Sequence, residues 1–169
     1  DGKKWGEGVN PEYEKYRVDS DGDGLSDSWE IANKRDPSDG LLYFDFDCGG
    51  WQTEGWESTD ISSNLAGSLG YLDFKLDSKK GTIHKTGLQI RETNHHSIAI
   101  KMKSNASLKI FVANDYGDLG TAEYSGNSSF EEVLISINNS TSLSGTTKLK
   151  ISFRGKKNDL VEIDYIKQL

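Results

Sequence analysis

Cysteine, methionine and proline are nearly missing from this chain, whose 169 residues hold one cysteine, one methionine and two prolines. With Cys48 alone no intramolecular disulfide can form, so a disulfide-stapled scaffold is excluded. No run of about 18 apolar residues occurs, which excludes a membrane-spanning helix. No basic segment followed by an apolar one opens the chain, and the numbering is expected to begin inside a longer precursor. Strong basicity is missing too. The formal charge is −7, with eleven acids against six bases in residues 1–40 and sixteen against fourteen in residues 41–169, which argues against non-specific nucleic-acid binding. Catalytic signatures are also wanting: there is no GxSxG elbow, HExxH helix, phosphate-cradling glycine loop or CxxC pair.

What is present favours sheets. Eighteen glycines and 34% hydrophobic residues suit turn-rich β structure better than helical packing. From residue 41 onward apolar residues alternate with polar ones. Leu72, Phe74 and Leu76 face one way and Tyr71, Asp73 and Lys75 the other. The same period recurs in Ile98, Ile100 and Met102, in Leu108, Ile110 and Val112, and in Leu149, Ile151 and Phe153. Adding residues 42–48, 87–91, 130–137 and 160–167 gives about eight strands, the spacing of an all-β, two-sheet antiparallel β-sandwich, jelly-roll-like in outline. Residues 10–16 could form at most a two-turn helix, and 27–34 read as a short helix halted by Asp36-Pro37-Ser38-Asp39-Gly40. The boundary is placed there, giving residues 1–40 as a metal-binding linker and 41–169 as the sandwich.

The segment Asp19-Ser20-Asp21-Gly22-Asp23-Gly24-Leu25-Ser26-Asp27-Ser28-Trp29-Glu30 sets oxygens at loop positions 1, 3, 5, 9 and 12 with glycine at 6. That is EF-hand spacing, and it specifies calcium. Asp19, Asp21, Asp23 and Asp27 offer carboxylates, Leu25 its carbonyl, and Glu30 a bidentate group. A single loop without a long entering helix fits a metal-ordered spacer and not a sensor that opens an apolar groove. Residues 19–39 resemble the thrombospondin type 3-like calcium repeats of bacterial exported proteins.

Tyr43-Phe44-Asp45-Phe46-Asp47, Thr53-Glu54-Gly55-Trp56 and Val161-Glu162-Ile163-Asp164-Tyr165-Ile166 resemble the first and last strands of bacterial carbohydrate-binding modules. The resemblance implies a second structural calcium joining those strands through Asp45 or Asp47 with Asp164. It also implies a polysaccharide partner, neutral or anionic.

A sugar site needs aromatic faces that stack on pyranose C–H groups, with polar groups to fix the hydroxyls. Trp51, which follows Gly49-Gly50 in an expected loop, is one candidate, the alternative being a ring folded back on the core, where Trp56 is expected. Tyr71 and Phe111 should emerge on outer sheet faces, and Tyr116 and Tyr124 flank a glycine-rich loop; the alternative for each is a ring that covers a neighbouring loop. Arg91, Lys101, Lys103, Lys109, Lys150 and Arg154 fall on outward positions and could pair with an anionic glycan, or serve solubility alone. His95 and His96 point to opposite faces if extended, so at most one lines a ligand site.

The sequence therefore leads to the expectation of a monomeric, secreted or cell-surface, non-catalytic module that targets a catalytic domain of the same parent chain to its polysaccharide. A structural or adhesion spacer is the alternative, and a small lyase or hydrolase a further one. An exposed aromatic platform separates the first from the second.

Overall fold

The computed structural model describes residues 18–38, 40–46, 53–61, 63–68, 70–91, 96–137 and 143–169. Trp51, His95, Asp47, Cys48 and the segment 10–16 lie outside the described residues. Among the described residues one helix, α1 (Asp27–Ala32), precedes eleven strands: β1 (Tyr43–Phe44), β2 (Glu57–Thr59), β3 (Ala66–Ser68), β4 (Tyr71–Lys75), β5 (Lys80–Lys85), β6 (Ser97–Ser104), β7 (Leu108–Asn114), β8 (Gly117–Tyr124), β9 (Asn127–Ser136), β10 (Leu149–Arg154) and β11 (Leu160–Gln168). They form two antiparallel sheets. One runs β3-β4-β11-β6-β9, with β1 also pairing to β11; the other runs β2-β5-β10-β7-β8.

Alternation explains the packing. In β4, β6, β7 and β10 the residues Leu72, Phe74, Ile98, Ile100, Met102, Ile110, Val112, Ile151 and Phe153 are buried between the sheets, as period-2 patterning requires. Phe74 meets Phe153 with ring centroids 5.5 Å apart at 60°, and Phe44 meets Trp56 at 5.5 Å and 86°. The first pair joins β4 of one sheet to β10 of the other. Edge-on contact of this kind adds to the area term that drives sandwich closure.

Several expectations are corrected in detail. Residues 87–91 are not a strand; they make one isolated parallel bridge, Gly40 with Ile90, bond to residues 145–147 through Leu88 and Ile90, and receive the acidic loop through Gln89. Strands β2, β3, β5 and β8 were not expected, and the first strand is two residues long. The helix ends sooner than residue 34, because Lys34 takes φ 60°, a left-handed stop that closes the last turn.

Candidate functional site

Local hydrogen bonds shape the acidic loop. Asp19 Oδ1 accepts from Gly22 N at 2.7 Å and Oδ2 from Gly24 N at 3.0 Å. Asp21 Oδ1 accepts from Asp23 N at 3.2 Å, and Asp23 Oδ1 from Leu25 N at 2.7 Å. Asp27 is engaged by Ser20, whose N–H lies 2.7 Å from Oδ1 and whose hydroxyl lies 2.6 Å from Oδ2. Ser26 caps α1 by accepting from Trp29 N at 3.2 Å, which sets Glu30 on the turn facing the loop.

The donor set fits a hard divalent cation. Oxygens of Asp19, Asp21 and Asp23 lie within 4.8 Å of one another. Asp21, Asp23 and Glu30 are fully buried, and Asp21 Oδ2 and both Glu30 oxygens have no hydrogen-bond donor. Burial first, and the Asp23 and Asp19 charges next, push the Asp21 carboxyl up to about 7. Burial likewise raises Asp23 and Glu30 to about 7, with repulsion from neighbouring acids adding to it. Among the described residues Arg35 is the nearby counter-charge, 3.8 Å from both Asp23 and Glu30. Buried carboxylates left this way are costly unless a cation joins them.

The loop is also keyed to the sandwich. Asp21 O accepts from Gln89 N at 2.7 Å and Asp23 O from Tyr43 N at 2.8 Å, while Asp23 Oδ2 accepts from Leu41 N at 2.8 Å. Gly22 and Gly24 sit at φ 73° and 101°, where a Cβ would come within 2.4 Å of Gly87 O and 2.1 Å of Tyr43 O. Only glycine permits both the turn and this approach. Asp164 pairs with Lys101 at 3.0 Å; Asp45 is half-buried next to β1, whose pairing to β11 puts Tyr43 opposite Lys167.

The second feature is the outer face of the six-stranded sheet. Tyr71 from β4 and Phe130 from β9 have ring centroids 5.6 Å apart, although β11 and β6 separate their strands. Both side chains therefore lean over the middle of the face, above Lys103, whose Nζ is 4.9 Å from the Phe130 centroid and 6.0 Å from that of Tyr71. Tyr165 stands nearby, with Lys167 Nζ 4.6 Å from its ring centroid and Lys101 Nζ at 5.6 Å. Its hydroxyl donates to Glu132; burial and that carboxylate push it up to about 12, so it stays a donor. Tyr43 adds a fourth ring, 41% exposed. The lysines are neutralised: Lys103 by Glu162 at 3.0 Å, Lys101 by Asp164 and Lys167 by Glu132 at 3.9 Å. A cleft of about 580 Å³ continues from Lys103 and Glu162 past Ser104, Asn105, Asn158 and Asp159.

Among the described residues, Tyr71 alone of the aromatic ligand residues expected from the sequence belongs to this face, together with the outward lysines Lys101 and Lys103. Phe111 and Arg154 come together on the opposite sheet, the guanidinium carbon 4.5 Å from the ring centroid. Tyr116 is exposed at the β7–β8 turn, its hydroxyl donating to Gly145 O at 3.4 Å. Arg91 is exposed and its charge acts on Asp36. Tyr124 is corrected to a core residue: it is 2% exposed and its hydroxyl accepts from Ser104 N at 3.1 Å, which leaves no ring face for a sugar. Tyr43, Phe130 and Tyr165 were not singled out from the sequence. Phe130 and Glu132 alternate on β9, a signal within reach; Tyr165 was hidden by a bulge after Ile163 that reverses the strand's phase.

No family model matches the sequence, and no curated protein does. Solved structures do resemble the fold. A carbohydrate-binding module of family 28, specific for non-crystalline cellulose, superposes with a TM-score of 0.56 at 9% identity, covering 70% of this chain and 88% of its own. A variant of a family 29 module complexed with mannohexaose gives 0.51 at 12% identity, covering 76% and 92%. A family 4 module, CBM4, gives 0.52 at 13%, covering 69% and 96%. At such identities the likeness is one of fold, the two-sheet sandwich, and the site must be argued from its own residues.

Proposed function

We propose that this protein is a non-catalytic carbohydrate-binding module whose sugar site is the outer face of the six-stranded sheet. The observation that carries the reading is the gathering of Tyr43, Tyr71, Phe130 and Tyr165 on one face, interleaved with paired lysines and carboxylates. Aromatic faces stack on sugar C–H groups, and fixed ionic groups exchange hydrogen bonds with hydroxyls without a net charge to repel or attract the polymer. The shared fold with modules described as binding cellulose or mannohexaose supports it, as does the aromatic platform that distinguishes a binder from a spacer. Calcium in the Asp19–Glu30 loop would be held by Asp19, Asp21, Asp23 and Glu30, with the Leu25 carbonyl at position 7, and would neutralise their buried charge. The module would act outside the cell, where calcium is plentiful, and hold a catalytic domain of its parent chain near polysaccharide, raising effective concentration.

Affinity electrophoresis in gels of neutral β-glucans and β-mannans tests this. Retardation by one of them, lost in Tyr71→Ala and Phe130→Ala, is the expected result. Retardation unchanged in both variants would move the site elsewhere, and no retardation in any gel would leave the spacer reading in its place.

A further inference from the structure

The two outer faces of the sandwich differ in how their cations are compensated. On the six-stranded face, Lys101, Lys103 and Lys167 each have a carboxylate between 3.0 and 3.9 Å away. On the five-stranded face Lys80, Lys109, Lys150 and Arg154 are all exposed, and among the described residues none of the four has a carboxylate within 4.0 Å. We propose that this face is a second binding surface, independent of the first, for an anionic polysaccharide, with Arg154 as its anchor.

Register makes the cations a row. Arg154 on β10 lies opposite Lys80 on β5 and opposite Lys109 on β7, so three charged stems span about 10 Å at the ordinary strand spacing. That is a track for successive charges along a polymer and not a pocket for one small anion. Two residues along, Ser152 lies beside Phe111, and two further along Lys150 lies beside His84. The Phe111 ring holds the Arg154 guanidinium at 4.5 Å and Lys109 Nζ at 5.7 Å. The Arg154 guanidinium makes no hydrogen bond among the described residues, so its five donors remain available in a fork that matches carboxylate or sulfate. A cleft of about 450 Å³ opens at the same end, lined by Ser107, Lys109, Ser125 and Arg154 together with Glu123. Glu123 sits opposite Lys109 in the register and Asp77 is bridged to Lys80 through the backbone, so an acid borders each end of the row; Glu57, at the far edge, is 3.3 Å from His84.

The ordinary reasons for surface lysines do not account for this row. Charges that blunt sheet edges belong on edge strands, whereas Arg154 and Lys150 on β10 and Lys109 on β7 stand on inner strands of the sheet; Lys80 lies just beyond the stretch of β5 that β2 covers. Solubility is already served by a formal charge of −7. Among the described residues this face offers no free aromatic platform, Phe111 being covered by Arg154, which favours a glycan over a single-stranded nucleic acid whose bases need stacking surfaces.

The test is affinity electrophoresis in gels of dextran sulfate, polygalacturonate and neutral hydroxyethylcellulose, with duplex DNA in a separate mobility assay. The expected result is retardation by dextran sulfate, by polygalacturonate or by both, which names sulfate or carboxylate as the anion. It should weaken as salt rises, fall about tenfold in Arg154→Gln, and be restored only in part by Arg154→Lys. Tyr71→Ala should leave it unchanged. Melting temperatures of the Arg154 variants should match the parent, since the residue is exposed. Indifference to both anionic gels, loss of retardation in Tyr71→Ala but not in Arg154→Gln, or tighter binding of DNA than of either polymer would each overturn the proposal. The neutral gel reports on the six-stranded face alone, so the two surfaces can fail separately.

Discussion

If calcium occupies the Asp19–Glu30 loop, its removal should lower the stability of the whole sandwich and not only of the loop. The perturbation is a thermal melt in chelator against one in about 10 mM calcium, a concentration of order 10–100 times the dissociation constant of a weak extracellular site. Mass action then contributes about 1.4–2.7 kcal/mol. For a chain of this size each kcal/mol moves the midpoint by about 2–4 °C, so the expected shift is about 3–11 °C. It should occur in one transition, because the loop donates no separate core: Asp21 O and Asp23 O are bonded to Gln89 N and Tyr43 N, and Asp23 Oδ2 to Leu41 N. Asp21→Asn sharpens the test. It removes one of the buried, mutually repelling carboxylates, so it should stabilise the metal-free protein while abolishing most of the calcium-dependent gain. Differential scanning calorimetry separates the outcomes. A small low-temperature transition that moves while the main melt stays fixed would refute the coupling of loop to sandwich, and no shift at all would refute calcium binding.

Three further outcomes follow from named residues. Without metal, Asp21, Asp23 and Glu30 titrate near 7 when folded against about 4 when unfolded. Their protonated forms favour folding, so this stability is fully present below about pH 4 and lost as pH rises to about 7. Melts of the chelated protein should therefore fall over that window, less steeply with calcium, whose ligands must be deprotonated. Gly24→Ala would drive a Cβ to 2.1 Å from Tyr43 O at φ 101° and should cost about 2–4 kcal/mol in urea unfolding, from overpacking plus backbone strain; a change under 1 kcal/mol would show that the loop can draw back freely. Phe153→Ala, which empties the seat against Phe74, should cost about 3–5 kcal/mol by the same measurement.

The acidic loop and most of the core were legible because both are written in local spacing. Carboxylates at alternate positions with a glycine between them need no knowledge of the rest of the chain, and Leu72, Phe74 and Leu76 alternate within one strand. The missed strands lack that signal. In β5, Lys80-Gly81-Thr82-Ile83-His84-Lys85, the residues Gly81, Thr82 and Ile83 are all buried, so burial does not alternate. Thr82 is accommodated by a hydrogen bond of 3.0 Å to Ser152 on the neighbouring strand. The platform was hidden for another reason. Tyr71 and Phe130 are 59 positions apart and meet only through the pairing of β4, β11, β6 and β9, while the bulge after Ile163 decides which face Tyr165 takes. Register between distant strands is a tertiary property.

The strand order also dictates when the molecule can become itself during synthesis. The middle of the five-stranded sheet is β10 and that of the six-stranded sheet is β11, the two strands made after all the others described. A growing chain that has reached residue 148 can form the pairs β2 with β5, β3 with β4, β6 with β9 and β7 with β8, and can pack β8 against β9, but it lacks the strands whose pairing completes either sheet. Until Leu149 emerges, β5 and β7 wait with unpaired edges; until Leu160 does, β4 and β6 do. At about 5–20 residues per second, that interval lasts seconds, and during it the nascent protein is a set of strand pairs still waiting for the two central strands.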